Sequence, residues 1–508
     1  MRTIYSPSFA VLDCRRRFGN SLGRTAGLNP AVPRIIPHFA LANRGVSLES
    51  DVNDEQMYEA TGHFFNAFAA TTLPVDVTEC ARSIALDTIA VMVRGYLEAD
   101  VSALADGYPD DAGGASLFTQ PSRKIDPLRA ILCNTASAAA MELCEGNRFS
   151  GGHVALQVLP ALLAAAEKHR IAGSRFLPAL VLGYEIAARM GRAADRHLRT
   201  HGHGMWAAAG SSVAIAWMLG RPANQVLECL KIASNLSLAP AFATHAEGAT
   251  VRNVTAGMGS VMGYLVPDLQ AAGYLGSNRA MAITLGETLG AAFSRETFVH
   301  NMGTDFHVNS NYYKFEASGR HMHAASEALQ EILRTRDFAP ADVARIEVET
   351  YYPASSLANQ TPINALAAKT SIPYSVAALL VFGELGPDAY DAGRIGEGRM
   401  RLLMDRVSVV ENAQFSALAN PTGADRAPLR SARVSVTLHS GETLGAYCEN
   451  PRGDFDYPAT PAALQEKYLA LTEPMLGIHR TEQLRTLITT IESVPDLSVA
   501  LKSVLQGL

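Results

Sequence analysis

Imidazole, carboxylate and guanidinium groups, the side chains that exchange protons and hold anions near neutral pH, gather in four stretches of this chain. In the first, Met141-Glu142-Leu143-Cys144-Glu145-Gly146-Asn147-Arg148 ends a helical pattern and Gly151-Gly152-His153 follows. The glycines permit a turn there, so the acids and His153 can converge on one cavity. In the second, His201-Gly202-His203-Gly204-Met205-Trp206 stands immediately before an Ala-rich helix, whose N-terminus suits an anion. Arg252, within Gly248–Gly257, precedes another helix. The fourth stretch joins Tyr313-Lys314 to Gly319-Arg320-His321-Met322-His323.

Each group also has a plain structural reading. Glu142 and Glu145 can be a solvated helix end, Arg252 a cap or salt-bridge partner, and His323 a partly buried core histidine. His201 and His203 have the spacing of a metal pair, but no third ligand follows at a conventional distance, so no metal is expected. Gly257-x-Gly259-x-x-x-Gly263 lies inside a helical pattern, not after a strand, and reads as helix-packing glycine, not a dinucleotide loop. Walker A, HExxH and GxSxG sequences are absent. What remains is a set of histidines and cations collected at helix starts, which suggests a pocket for a small polyanion.

The rest of the chain must position these groups. Its 508 residues, 48% hydrophobic and 18% charged, suffice for two or three domains with real cores and are too apolar for disorder. A net charge of -6 argues against a general nucleic-acid binder, which needs a basic surface. Cys14, Cys80, Cys133, Cys144, Cys229 and Cys448 are scattered and read as reduced thiols. The most apolar stretches, Phe176 to Ala188 and Ala207 to Leu219, are too short and too interrupted to cross a bilayer, so no membrane association is expected. Residues 1–52 differ from the rest: Arg2, Arg15, Arg16, Arg17, Arg24, Arg34 and Arg44 occur there with no lysine. Such a leader reads as an unstructured extension or as an organelle transit peptide. A cytoplasmic protein is expected, mitochondrial if the leader is a transit peptide.

From Val77 the apolar residues recur at steps of three and four, which places Val77, Ala81, Ile84, Ala85, Thr88, Ile89, Met92 and Val93 on one helical face. Further helices are expected over Pro127–Leu143, Val154–His169, Phe176–Leu198, Ala207–Leu219, Asn224–Asn235 and Asn253–Ala272. After about residue 310 a period of two sets in. Ile346, Val348 and Thr350 alternate with Glu347 and Glu349, and Val434, Val436 and Leu438 lead through Ser440-Gly441 into a hairpin partner at Thr443 to Tyr447. Helices at Ala324–Arg334 and Pro373–Phe382 lie between. The expected fold is mainly α: an all-helical bundle domain over 53–310, a smaller α+β lid domain over 311–460, and helices over 461–508 that pack back on the bundle.

Taken in order, these stretches resemble the MmgE/PrpD family, which includes 2-methylcitrate dehydratase, cis-aconitate decarboxylase and iminodisuccinate epimerase. The resemblance runs from about residue 55 to 480. It rests on Asp87-Thr88, Asn134 through Glu145 with His153, Gly183-Tyr184-Glu185, His201 through Gly220, Gly248 through Gly257 with Gly273-Tyr274-Leu275-Gly276, Lys314 with His323, and Ala368 through Ala377. It implies a helical domain with an α+β lid, an active site between them, a homodimer, and no metal, nucleotide or iron–sulfur cofactor. The family's N-G-T-x-x-H-x-x-D-x-D-D helix is altered here, with Ala139 in place of its histidine and Glu142, Cys144 and Glu145 in place of its acids. His153 is retained, the histidine before the Ala-rich helix matches His201 with His203 beside it, Arg252 replaces a lysine, and Lys314 is kept. A polar or Cys position becomes Gly319.

The resemblance implies a cofactor-independent lyase acting on a small di- or tricarboxylate, with dehydration of a 2-methylcitrate-like acid as the leading expectation. Decarboxylation of cis-aconitate and epimerisation of an imino-diacid are the alternatives within the family, and a binding protein that has lost catalysis is the alternative outside enzymes. In this reading His153 and His201 form an acid/base pair, Arg252 and Lys314 clamp carboxylates, and Glu142 and Glu145 orient the histidines. Arg148, His203, Arg320 and His323 complete the substrate pocket.

Overall fold

Apolar residues at helical spacing bury one face after another along the first half of the chain. The computed structural model describes residues 52–506 apart from 120, 198 and 421–426, and the expectations for the leader fall outside the described residues. Helix α1 (Asp54–Phe68) opens with a reciprocal capping box between Asn53 and Gln56. Helices α2 (Val75–Gly95), α3 (Pro127–Met141), α4 (Val154–His169), α5 (Gly173–Ala193), α6 (Ala207–Met218), α7 (Ala223–Ala233) and α8 (Arg252–Ala271) follow. α6 is buried nearly all round, so it forms the centre of the bundle, against α4, α5, α7 and α8. Small residues make that possible. A Cβ on Gly183 of α5 would lie 2.7 Å from the Gly210 carbonyl of α6, and one on Gly263 of α8 would lie 2.6 Å from the Ala208 carbonyl. Gly259 and Gly263 are therefore packing glycines within a helix.

The second half carries a four-stranded sheet beside helices. Short strands come before it, among them β1 (Gly146–Asn147), β2 (Ala194–Arg196), β3 (Gly290–Phe293) and β4 (Asn311–Tyr312), with β1 paired to β4 and β2 to β3. Helix α9 (Arg320–Thr335) leads into β5 (Val343–Thr350), helix α10 (Ile372–Phe382), and then β6 (Val407–Glu411), β7 (Ala432–Leu438) and β8 (Thr443–Cys448). The strand order is β8-β7-β5-β6, antiparallel except for β5 with β6. Ile346, Val348 and Thr350 are buried while Glu347 and Glu349 are not, as the alternation requires. The β7–β8 hairpin turns at Gly441, whose φ of +90° no side-chain-bearing residue adopts easily. Helix α9 packs on β7 and β8. The chain then returns through α11 (Pro461–Thr489), which packs on α2, and α12 (Leu497–Gln506), which packs on α4.

Two expectations on helix limits are corrected. The helix expected over Phe176–Leu198 stops at Ala193, because the next three residues pair with β3. The helix expected from Ala324 begins at Arg320, so Arg320 and His323 occupy its first turn. Among the described residues no helix is long and apolar enough to cross a membrane.

Candidate active site

The acidic turn after α3 begins earlier than its glycines suggest. Glu142 itself takes the left-handed conformation (φ 52°, ψ 29°) that ends the helix, an uncommon state for a residue with a side chain. Its buried carboxylate pairs with Arg252, the first residue of α8, and accepts from Lys314 Nζ at 3.1 Å. Burial alone would raise its pKa, but Arg252 and Lys314 together outweigh burial and hold it well below the usual carboxylate range. This corrects two expectations. Glu142 does not orient a histidine. Lys314 is wholly buried behind Glu142, also donates to the Ser318 carbonyl at 3.0 Å, and lies off the cavity wall. Arg252 stays on the wall, as a clamp must: Glu142 and the Ala139 carbonyl (3.1 Å) engage it while its buried Nε has no partner.

Glu145 is corrected as well. Its carboxyl accepts from the Ala155 amide at 2.8 Å and the Tyr184 hydroxyl at 3.1 Å, and burial lifts its pKa to about 8. It touches no imidazole through its side chain. Its backbone carbonyl does, accepting from His153 Nδ1 at 2.6 Å. That bond places the His153 proton on Nδ1 and leaves Nε2 with its lone pair. Burial and the nearby Lys314 charge depress the His153 pKa to about 3, so the ring is neutral.

His201 is arranged the opposite way. Its Nδ1 accepts from the His203 backbone amide at 3.1 Å, so in the neutral ring the proton sits on Nε2. One imidazole thus offers a base and the other a donor. His203 lies between them, with ring centroids 5.2 Å from His153 and 4.3 Å from His201. It is 1% exposed, and neither of its ring nitrogens has a hydrogen-bond partner. His245 continues the row 5.1 Å from His201, with Nδ1 bonded to the Phe242 carbonyl. Burial holds His201 and His203 well below their ordinary pKa, and His245 at about 4.

These rings line a cavity of about 70 Å³ together with Glu142, Arg252, Tyr312 and Arg320. A second, outer chamber of about 230 Å³ adjoins it, and Gly151, Arg196, Phe242, His321 and Arg430 line both and form the neck between them. Six expected residues therefore meet here: His153, His201, His203, Arg252, Glu142 and Arg320. Arg320 also donates to Asp454 Oδ2 at 3.2 Å and lies 4.8 Å over the Tyr312 ring. Arg148 lines the outer chamber only, held by Asp454 (3.2 Å) and Asp456 (2.7 Å), and so ties loops together. His323 is turned away: Arg320 donates to its Nδ1 at 3.2 Å, its Nε2 meets the Ser318 carbonyl at 3.3 Å, and it lines a separate cavity behind. Its role is to support the Ser318–Arg320 corner. Among the described residues no group of three or more His, Cys, Asp and Glu side chains could hold a metal ion.

Sequence reasoning missed Arg196, Arg430, His245, His321 and Tyr312. His321 stood inside a recognised cluster and was passed over for its neighbours. Arg196 was hidden by the helix assigned through it, and Arg430 has no local signal at all. Asp87 and Lys467 form a further buried pair behind the turn, where Asp87 Oδ2 accepts from the Glu145 amide at 2.9 Å and Lys467 Nζ donates to the Leu143 carbonyl at 2.9 Å.

Bundle, α+β half and cavity define a two-domain, mainly helical protein with a cationic, histidine-lined pocket built from both halves. The chain belongs to the MmgE/PrpD family: the family's N-terminal domain matches residues 59–297 and its C-terminal domain residues 317–493. A cis-aconitate decarboxylase-like protein of Aspergillus oryzae is 25% identical over 84% of this chain and 92% of its own length. The cis-aconitate decarboxylase of Aspergillus terreus is 22% identical over 87% of this chain and 94% of its own. The human cis-aconitate decarboxylase is 22% identical over 77% and 82%.

Proposed function

We propose that this protein is a lyase that removes carbon dioxide from a small unsaturated polycarboxylate of the cis-aconitate type. The observation that carries the reading is the row of neutral imidazoles of opposite tautomer beside guanidinium groups in one cavity. The cis-aconitate decarboxylases among the relatives favour decarboxylation over the dehydration that led the expectations drawn from the family resemblance. Decarboxylation of such an acid breaks one carbon–carbon bond. The electron pair left behind moves toward the neighbouring alkene, which shifts, and the far alkene carbon takes up one proton. His201, whose Nε2 carries the proton, is a suitable donor once a second proton enters with the substrate's carboxylates, returning to the neutral ring after the transfer, and His203 stands beside it with ring centroids 4.3 Å apart. Fixed guanidinium groups offset the charge of the carboxylates that remain, and such preorganised charge is commonly the largest catalytic contribution.

Dehydration of a hydroxy-polycarboxylate stays as the second reading, because the bare Nε2 of His153 is the base that elimination would need. The test is direct. Purified protein is mixed with cis-aconitate, methylcitrate and citrate while released carbon dioxide and alkene absorbance are followed. Carbon dioxide from cis-aconitate, with one solvent deuteron entering the product in heavy water, is the expected result. New alkene absorbance from methylcitrate without carbon dioxide would select the second reading. A flat trace with all three would reject both.

A further inference from the structure

We infer that Arg196 and Arg430 form a two-pronged anion site at the neck of the histidine cavity, which takes one carboxylate of the substrate and selects for polycarboxylates. The inference rests on the polycarboxylate reading above and assigns the group that holds the substrate's outer end.

Charge bookkeeping singles these two out. Glu142 engages Arg252 and Lys314, and Asp454 engages Arg320 and, with Asp456, Arg148. Arg196 and Arg430 alone among the cavity and chamber cations have no carboxylate partner among the described residues. Asp195, the acid next to Arg196 in sequence, is exposed and pairs with neither. Arg430 Nε is buried with no hydrogen-bond partner, and Arg196 is anchored through one nitrogen to the Thr200 carbonyl. Burying donors without acceptors is unfavourable, and two like charges at one neck add to it. Burial and the Arg430 charge lower the Arg196 pKa, whereas Arg430 is raised, because Tyr351, Tyr312 and Asp454 outweigh its burial.

The positions are built, not incidental. The β2–β3 ladder shifts register between Asp195 and Arg196, the kind of irregularity that re-aims a side chain. Arg430 lies 5.8 Å from the Tyr312 ring centroid, and its backbone amide donates to Asn450 Oδ1 at 3.1 Å. Both arginines line the cavity and the chamber alike, so a carboxylate between them would leave the rest of the molecule reaching inward toward His201 and His203. A planar fork bonding two oxygens at once gives this site its geometry.

The experiment compares wild type with Arg196→Gln, Arg430→Gln and Arg430→Lys, each checked for native circular dichroism. Two readouts are taken: steady-state kinetics on cis-aconitate, and the thermal shift given by tricarballylate (a saturated tricarboxylate) against glutarate (a dicarboxylate). Expected are a KM raised about 10- to 100-fold by either Gln variant with kcat within about threefold, and loss of the preference for tricarballylate. Arg430→Lys keeps the charge but not the fork, and a loss of about threefold or more is expected; it decides the matter if a Gln variant fails to fold. Wild-type KM and an unchanged tricarballylate shift in folded variants would overturn the inference, as would no tricarballylate shift in wild type. If wild type does not turn over cis-aconitate, the function reading fails separately, and the thermal shifts still judge the arginines.

Discussion

His203 keeps both ring nitrogens buried and unpartnered, a state that costs free energy until a ligand supplies the missing bonds. Its neighbours share the cost of staying neutral in the dry cavity, and the sign of the resulting pH dependence follows. In the unfolded chain these histidines titrate near 6.5, whereas folded His153 lies at about 3 and His245 at about 4, with His201 and His203 also depressed. The unfolded state therefore binds more protons below pH 6.5. Stability is full above that value and falls as pH drops toward the folded values, each histidine steepening the loss by about 1.4 kcal/mol per pH unit. Glu145 works oppositely, since its folded pKa of about 8 means stability is lost as pH rises from about 4.5 to 8. The depressed imidazoles, His321 and His323 with these four, outnumber the carboxyls that burial raises, Asp87, Glu145, Glu316 and Glu327, so the acid side is dominated by the histidines. Melting temperature should fall steadily below pH 6.5, more gently in His203→Gln, while Glu145→Gln should lessen the decline toward pH 8. At the same scale, His153→Gln or His201→Gln should lower kcat/KM about 10²- to 10⁴-fold with the fold retained, the range for loss of a general acid or base. Unchanged turnover in both would remove them from the mechanism. Residue type made His153, His201, His203 and Arg252 legible in the sequence, because imidazoles and cations at helix starts stand out locally. What their partners are was not legible. That Glu142 pairs with both Arg252 and Lys314 depends on α3, α8 and the Lys314 loop meeting in space.

At the scale of elements, periodicity located the helices and the hairpin, since a buried face must repeat every 3.6 or 2 residues wherever it packs. It failed at the end of α5, where an apolar pattern continues but three residues pair with β3 instead, and that failure concealed Arg196. The turn after α3 depends on α11, whose Lys467 reaches Asp87 and the Leu143 carbonyl. Removing one partner of a buried pair leaves the other charge uncompensated, so Lys467→Met should cost about 3–5 kcal/mol in chemical denaturation. A cost under about 1 kcal/mol would show that Asp87 simply takes up a proton. Gly263→Ala should also destabilise, by about 1–3 kcal/mol, because its methyl would meet the Ala208 carbonyl in the α6–α8 seam.

At the scale of the whole molecule, α8 and the residue that caps its start leave Val251, Met258 and Leu265 exposed at seven-residue intervals, with Tyr274 and Leu275 beyond its end. We propose that this side supports the homodimer expected from the family resemblance. Met258→Glu should then shift wild-type dimer toward monomer in light scattering, and a monomeric wild type would discard the idea. The Lys467 contact has a different consequence, in the order of synthesis. Asp87 and Lys467 are 380 residues apart, and Leu143 and Lys467 are 324 apart. On the ribosome, the acidic turn is made early and must wait, its aspartate without a counter-charge, until nearly the whole chain has emerged. Nascent chains stalled before that lysine should be protease-sensitive around the turn, and the pocket should close late.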